Sequence, residues 1–436
     1  QKPQYEKFAQ GLHEPLGLAY TKDGMYAAQR GELTRMRDDD GDGRADHYET
    51  VYTWPQSGNH HAFSYGPEVL PDGRLWVGIG LDSPSSGQTR HSSLVPWRGW
   101  AVTITPDGEM TPMAAGMKQP SGYGLNAEGD LFYSEHDGLW VSTGWITHVE
   151  HGDFMGHPAS LRWKDLPQSP LKDIPYTHKT LPSTGKPIFE FLDKIPGLKL
   201  PTVWFPDGIM GTATEDILVD TTGGRFGPYT EDLFVGDQGH DKIMRVTLEK
   251  VDGDYQGAVF PFRDGLASAG VMRQVWGRDG SMFVGMTSRG WTHTGPQTFG
   301  LQRIEWTGEV PFEMKSIHAR PDGFELEFTR PVDPEVARLP SSYEITSFTY
   351  KYHKEYGSPV IQQEPGPIRG VQVSEDSTSV RLAVDNMRRY YIHEVKITGN
   401  VRSRTGMPLL HTVGYYTLNN IPEGEEMALE NAVTPA

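Results

Sequence analysis

Short apolar runs recur along this chain behind Asp-Gly or Glu-Gly turns. The turns are Lys22-Asp23-Gly24, Pro71-Asp72-Gly73, Pro106-Asp107-Gly108, Ala127-Glu128-Gly129 and Arg278-Asp279-Gly280. Most lead into a run such as Met25-Tyr26-Ala27, Leu75-Trp76-Val77, Leu131-Phe132-Tyr133 or Met282-Phe283-Val284, and Leu233-Phe234-Val235 continues the series after a different turn. Each unit reads as strand, turn, strand and polar loop. About six units of roughly 40–50 residues fit into residues 1–308, and repetition at that period predicts an all-β, six-bladed β-propeller. A large β-sandwich is the competing architecture.

Residues 158–206 break the pattern with nine prolines and little strand character, which predicts a long surface excursion between blades. After Gly308 the texture changes. Gly323–Phe328 and Ser379–Val384 alternate apolar and polar positions, as half-buried strands do. The division expected is a propeller over 1–308, a small separate β-sandwich over 309–422, and an acidic tail or linker over 423–436. Such a tail would lead into a further domain of a longer protein.

Composition agrees with many turns and large rings: 50 Gly, 33 Pro and 11% aromatic residues among 436. Net charge is −17 with no Lys/Arg cluster, which argues against a nucleic-acid partner. Cysteine is absent, so disulfides, thiolate metal sites and covalently attached haem are excluded. No apolar run is long enough to span a membrane. The chain opens at Gln1 without a leader pattern, as a trimmed mature protein does.

The sharpest motif runs from Asp38 to Glu49. Carboxylates fall at positions 1, 3, 5, 9 and 12 (Asp38, Asp40, Asp42, Asp46, Glu49), Gly43 stands at position 6, and the Arg44 carbonyl at position 7. That is calcium-loop spacing, in which oxygens converge on one hard cation. Strands flank the loop, so a calcium-stapled hairpin with a structural role is expected.

Polar clusters occupy matching places in the repeats: Asn59-His60-His61, Glu135-His136-Asp137, Asp237-Gln238-Gly239-His240, and Ser288-Arg289 through Trp291-Thr292-His293. In a propeller such positions gather at one end of the channel, where ligands bind. His60, His61 and His136 would move protons there, and Arg289 would hold an anionic or oxygen-rich group. Glu135, Asp137, Asp237, Gln238, His240 and Trp291 would face the cofactor or substrate. His148, His151 and His157 match no metal spacing and read as structural or rim residues. Nucleotide-binding, phosphate-cradling and Gly-x-Ser-x-Gly motifs are missing, against a nicotinamide enzyme, a kinase or a serine hydrolase.

The runs His60-His61-Ala62-Phe63, Leu70 to Gly78 and Gln119-Pro120-Ser121-Gly122 to Glu135 resemble the soluble quinoprotein sugar dehydrogenases of the glucose and sorbosone type. Gly152 to Pro158, Gly224 to Pro228, Tyr255 to Ala258 and Arg289-Gly290-Trp291 are similar to a sorbosone-dehydrogenase-like, membrane-bound-dehydrogenase-like branch of secreted bacterial propellers. The resemblance covers residues 11–308, and 309–422 looks like the Ig-like module that often follows that propeller. It implies a six-bladed propeller carrying pyrroloquinoline quinone and calcium, in the periplasm or outside the cell. His60 or His61 matches the family's base. The family's Arg-Asn pair at the quinone falls on Lys118 and Gln119, and Lys lacks the planar fork that grips a quinone oxygen.

Three functions stay open. The first is quinone-dependent oxidation of a sugar or sugar-like alcohol, with Lys118 and Arg289 on the quinone. The second is cofactor-free lyase or hydrolase chemistry on a carbohydrate, through His61 or His136 with Arg289 or a cation opposite a carboxylate. The third is a non-catalytic binding module.

Overall fold

The computed structural model describes residues 5–83, 91–266, 268–289 and 292–435, and their regular structure is almost wholly antiparallel sheet. The first sheet is the meander β1 (Leu18–Thr21), β2 (Gly24–Ala28), β3 (Glu32–Arg37) and β4 (His47–Thr53). The second repeats it with β5 (Ser64–Val69), β6 (Leu75–Ile79), β7 (Trp100–Ile104) and β8 (Met110–Ala115). The third contains β9 (Gly122–Leu125), β10 (Leu131–Glu135), β11 (Gly144–His148) and β12 (Val203–Phe205). The fourth begins β13 (Thr214–Val219), β14 (Leu233–Asp237), β15 (Lys242–Val251) and β16 (Asp254–Arg263). The fifth is β17 (Gly270–Trp276), β18 (Met282–Thr287) and β19 (Phe299–Ile304).

The Asp-Gly turns make the hairpins. At Pro71-Asp72-Gly73 the Asp72 carboxylate accepts the Arg74 amide at 3.0 Å, and Gly73 takes φ +85°, where a side chain would be strained. The strand that follows, β6, is buried throughout, as is its neighbour β7, with Trp76 and Trp100 both 0% exposed. A single strand buried on both faces needs sheets packed on either side. Neighbouring sheets supply them: β1 lies against β5, β5 against β9, β9 against β13, and β13 against β17.

The ring closes at Arg273 of β17, whose guanidinium donates to the Leu16 carbonyl at 2.7 Å just before β1. Glu14 adds ion pairs to both Arg30, after β2, and Arg289, after β18. Successive meanders with adjacent first strands are the connectivity of a propeller.

Six such sheets were expected; the described residues form five. The difference lies in residues 158–206, which do not separate two blades. They run between β11 and β12 of one sheet. The expected surface excursion is also largely internal. Leu161, Leu171, Ile174, Phe191 and Ile195 are buried in the main core, and the Trp100 indole donates to the Ser160 carbonyl at 3.1 Å.

The remaining strands are β20 (Met314–Arg320), β21 (Gly323–Phe328), β22 (Tyr343–Tyr350), β23 (Val360–Pro365), β24 (Ile368–Val373), β25 (Ser379–Val384), β26 (Tyr391–Ile397) and β27 (Val413–Leu418). They do not stand apart from the ring. β27 pairs with β16, so the fourth sheet continues as β13-β14-β15-β16-β27-β26-β22-β23, eight strands in all. The sheet β20-β21-β25-β24 packs over the later half of it. β16 serves two cores through the two-residue period of a strand: Tyr255 and Val259 enter one, Ala258 and Phe260 the other.

The tail, expected to be a frayed linker, is pinned along part of its length. Met427 donates its amide to Asp322 at 2.8 Å, and Val433 and Val371 exchange two backbone bonds of 3.0 Å. Among the described residues no helix is long and apolar enough to cross a membrane.

Candidate active site

One end of the ring collects the segments that precede first strands and follow second strands. The sequence-marked clusters lie there, and several have turned inward. Glu135 is fully buried; its carboxylate accepts the amides of Lys118 at 2.6 Å, Gln119 at 2.9 Å and His136 at 3.1 Å. Asp237 does the same one sheet later, accepting Thr212, Ala213 and His240 at 2.6, 3.1 and 2.7 Å. Where a cofactor-facing role was expected of these acids, their oxygens are taken up by backbone amides of neighbouring segments. The Gln238 amide likewise donates to the Arg289 carbonyl at 3.0 Å. His240 rests 3.4 Å from Asp237, whose carboxylate raises the imidazole pKa.

Lys118 is 3% exposed and donates to the Asp137 carbonyl at 2.6 Å. The Gln119 amide donates to the Tyr65 hydroxyl at 3.0 Å. Asp137 is buried and accepts the Tyr356 hydroxyl at 3.3 Å; burial pushes its carboxyl up against the pull of Lys118. The His61 ring packs 5.0 Å from Phe63, and the His60 carbonyl accepts from Arg30 at 2.9 Å. Arg289 is ion-paired to Glu14. Trp291 lies outside the described residues. The three later histidines do not gather: His157 accepts the Ala159 amide, His148 packs on Phe132 and Tyr255, and His151 is exposed.

Among the expected catalytic groups, His136 is built into a proton-handling cluster, and its partners were not foreseen. Nε2 lies 2.7 Å from the Ser121 hydroxyl and 3.0 Å from Glu215 Oε1. Ser121 and Glu215 are each 1% exposed, while the imidazole keeps an 11% opening. Glu215 Oε2 lies 3.7 Å from the Arg273 guanidinium, which also stands 5.0 Å over the Tyr123 ring and 4.0 Å from Asp216. Ser121 precedes β9, Glu215 opens β13 and Arg273 lies on β17, so three first strands supply the cluster. Deeper along the axis, burial raises Asp216 to about 6 and, with Asp216 nearby, Glu68 to about 7. Burial works against the Arg273 charge, yet Tyr123, Asp216 and Glu215 together raise its pKa.

One nitrogen with two partners can do two things. Without its proton, Nε2 accepts from the Ser121 hydroxyl; with it, Nε2 donates to Glu215. The hydroxyl and the carboxylate thus offer Nε2 one partner in each protonation state.

The calcium loop is partly assembled. Oxygens of Asp38, Asp40 and Asp42 lie within 4.8 Å of one another. Asp46 instead accepts the Asp39 amide at 2.9 Å, and Glu49 is turned along β4 to pair with Arg35 across from it on β3. Arg35 holds the Glu49 carboxyl below its usual range, so Glu49 is not the bidentate ligand expected from spacing.

The quinone implied by the resemblance is a planar tricarboxylate and needs cations facing an open site. Here Lys118 is buried with its ammonium on the Asp137 carbonyl, and Arg289 is paired to Glu14, which it shares with Arg30. The described residues do not fit that group.

A family described as Domain of unknown function (DUF7133) matches residues 3–165. No curated protein matches the chain. Among solved structures it is similar to the PQQ-bound aldose sugar dehydrogenase of Streptomyces coelicolor, at 16% identity and TM-score 0.43, covering 68% of this chain and 81% of that one. The pyranose dehydrogenase PQQ domain of Coprinopsis cinerea gives 13% identity and TM-score 0.35, covering 65% and 95%. The calcium structure of a Trichoderma reesei carbohydrate-active enzyme of family AA12 gives 14% identity and TM-score 0.40, covering 66% and 80%. The roles given to His136, Glu215 and Arg273 rest on this chain's own geometry.

Proposed function

We propose that the chain is a carbohydrate-active enzyme that breaks or rearranges a bond of a neutral, sugar-like substrate by acid–base chemistry at His136. The carrying observation is the placement of His136 Nε2 between Ser121 Oγ at 2.7 Å and Glu215 Oε1 at 3.0 Å, with the ring reachable from the mouth. Glu215 orients the imidazole, and Arg273 holds Glu215 from behind. The exposed Asp207 near Asp137 can accept hydrogen bonds from hydroxyl groups, which suits a polyol. A uronate would reach Arg289 only in competition with Glu14, which already pairs with it and with Arg30. It stands in place of quinone-linked oxidation.

The test is a screen of neutral glycosides, aldoses and aldonolactones, followed by His136→Gln on any substrate turned over. Loss of about 10²–10⁴ in kcat/KM is expected. Full activity in that variant would overturn the assignment. So would dye reduction that appears only after loading with pyrroloquinoline quinone and calcium.

A further inference from the structure

Away from the mouth, a cavity of about 220 Å³ opens where the fifth sheet hands over to the later strands. Its volume is below the roughly 300–1,000 Å³ of sites that enclose drug-sized ligands, so its occupant is small. Phe226, Tyr229, Phe262 and Trp306 line it together with Glu309 and Glu313. The Phe262 centroid lies 6.1 Å from that of Phe226 and 5.7 Å from that of Tyr229, the latter pair edge-on at 88°. Trp306 remains 37% exposed at the rim, and its indole is fixed by a 3.2 Å bond to the Glu309 carbonyl. A Cβ on Gly227 would sit 3.5 Å from Tyr229 and 3.7 Å from Trp306, so those two side chains converge on backbone that carries no side chain.

The charges on this cavity are one-sided. Three carboxylates line it (Glu305, Glu309 and Glu313) with one basic group, His411, and Glu305 is also ion-paired at 2.6 Å to Arg303, which does not line it. Glu313 is 3% exposed, bonded to the Tyr229 hydroxyl and 2.9 Å from His411 Nδ1. Aromatic faces carry negative potential, and a walled cavity deepens it. The Tyr229 ring already holds one cation: the Arg245 guanidinium carbon lies 4.8 Å from its centroid, and Arg245 does not line the cavity. Rings on several sides with a carboxylate at the base and another at the rim form the cage that receives an alkylated ammonium group.

We propose that this cavity binds a small organic cation of the quaternary ammonium class, independently of the chemistry at His136. Apolar contact alone would hold a neutral molecule of the same shape equally well, and that difference is measurable. Choline and its neutral isostere 3,3-dimethylbutan-1-ol are titrated into the full chain at constant ionic strength, by calorimetry and tryptophan fluorescence. Choline is expected to bind at least tenfold more tightly than the alcohol. Trp306→Leu, at an exposed position, should weaken choline at least tenfold, and Glu309→Gln should weaken it several-fold without altering the melting midpoint. Equal affinity for the two probes would reduce the cavity to an apolar gap. Absence of choline binding, or binding untouched in both variants, would overturn the proposal.

Discussion

His136 Nε2 stands 3.0 Å from Glu215 Oε1, although 78 residues and one sheet boundary separate them in the chain. Glu215 opens β13 and His136 follows β10, so the contact exists only because the third and fourth sheets pack side by side. The same contact sets Glu215 between an imidazole and Arg273. Glu215 thus lies within ion-pair reach of both groups at once.

Removing the fixed cation should therefore be worse for folding than removing the imidazole. In Arg273→Met, Glu215 and Asp216 stay buried with no counter-charge, a change that destabilises by about 3–5 kcal/mol at pH 8. Chemical denaturation of the two variants checks the order. His136→Gln unfolding at or below the midpoint of Arg273→Met would show that the arginine is not the group that neutralises the cluster.

Stability should also fall with rising pH in a window set by Glu68. Its folded pKa of about 7 lies above the ordinary 4.5, raised by burial first and Asp216 second. The folded state thus binds this proton more tightly than the unfolded chain. The associated stability is present in full below about pH 4.5 and is lost as pH rises through 7. Glu68→Gln keeps the neutral form at every pH. It should match the parent near pH 4.5 and exceed it by about 3 kcal/mol at pH 8. Parallel melting-midpoint curves for the two proteins across that range would contradict this.

What was legible in the chain was local. Leu75–Ile79, Leu131–Glu135 and Met282–Thr287 follow directly from apolar runs behind Asp-Gly or Glu-Gly turns, because turn chemistry and strand period act over a few residues. The common end of the ring was legible too, since a strand's register fixes which end its flanks occupy. Ser121, Glu215 and Arg273 were not. Each lies in or beside a first strand with nothing in its own segment to mark it, and its chemistry comes from neighbours on other sheets. Glu135 and Asp237 misled for the opposite reason: they look like site acids, but backbone amides of adjacent loops take up their oxygens. The count of six sheets failed at residues 158–206, where apolar residues such as Leu171 and Phe191 are spread among prolines and fill the core without regular strands.

The acidic loop gives a prediction that does not involve the mouth. Gly41 and Gly43 bring their amides to Asp38 at 2.7 and 2.9 Å, which gathers Asp38, Asp40 and Asp42 on one side of a tight turn. A hard divalent cation there would offset their repulsion. Calcium at 100 times its dissociation constant should add about 2.7 kcal/mol, seen as a raised melting midpoint that a chelator reverses. Asp42→Ala should abolish the shift and Glu49→Gln should preserve most of it, since Glu49 is committed to Arg35. A midpoint indifferent to calcium and chelator would make the loop an acidic turn only.

The last prediction follows from β16. Ala258, Val259 and Phe260 are 0%, 0% and 2% exposed, and that burial depends on β27 pairing at Gly257–Val259 and on the second core beyond it. The Thr417 hydroxyl on β27 also accepts the Trp204 amide at 2.9 Å, tying the third sheet to the same strand. Ending the chain at Gly308 would leave β16 as a long apolar edge with its backbone groups unpaired, the kind of edge that seeks another chain. Such a truncation should be insoluble or aggregate, whereas a linker repeat of the same length would separate cleanly. The comparison to make is sedimentation of residues 1–308 against 1–435, with Phe260→Lys in the truncated chain. The lysine should recover some soluble protein by charging the exposed edge, and a monomeric, cooperatively melting 1–308 would show that the ring holds its own core.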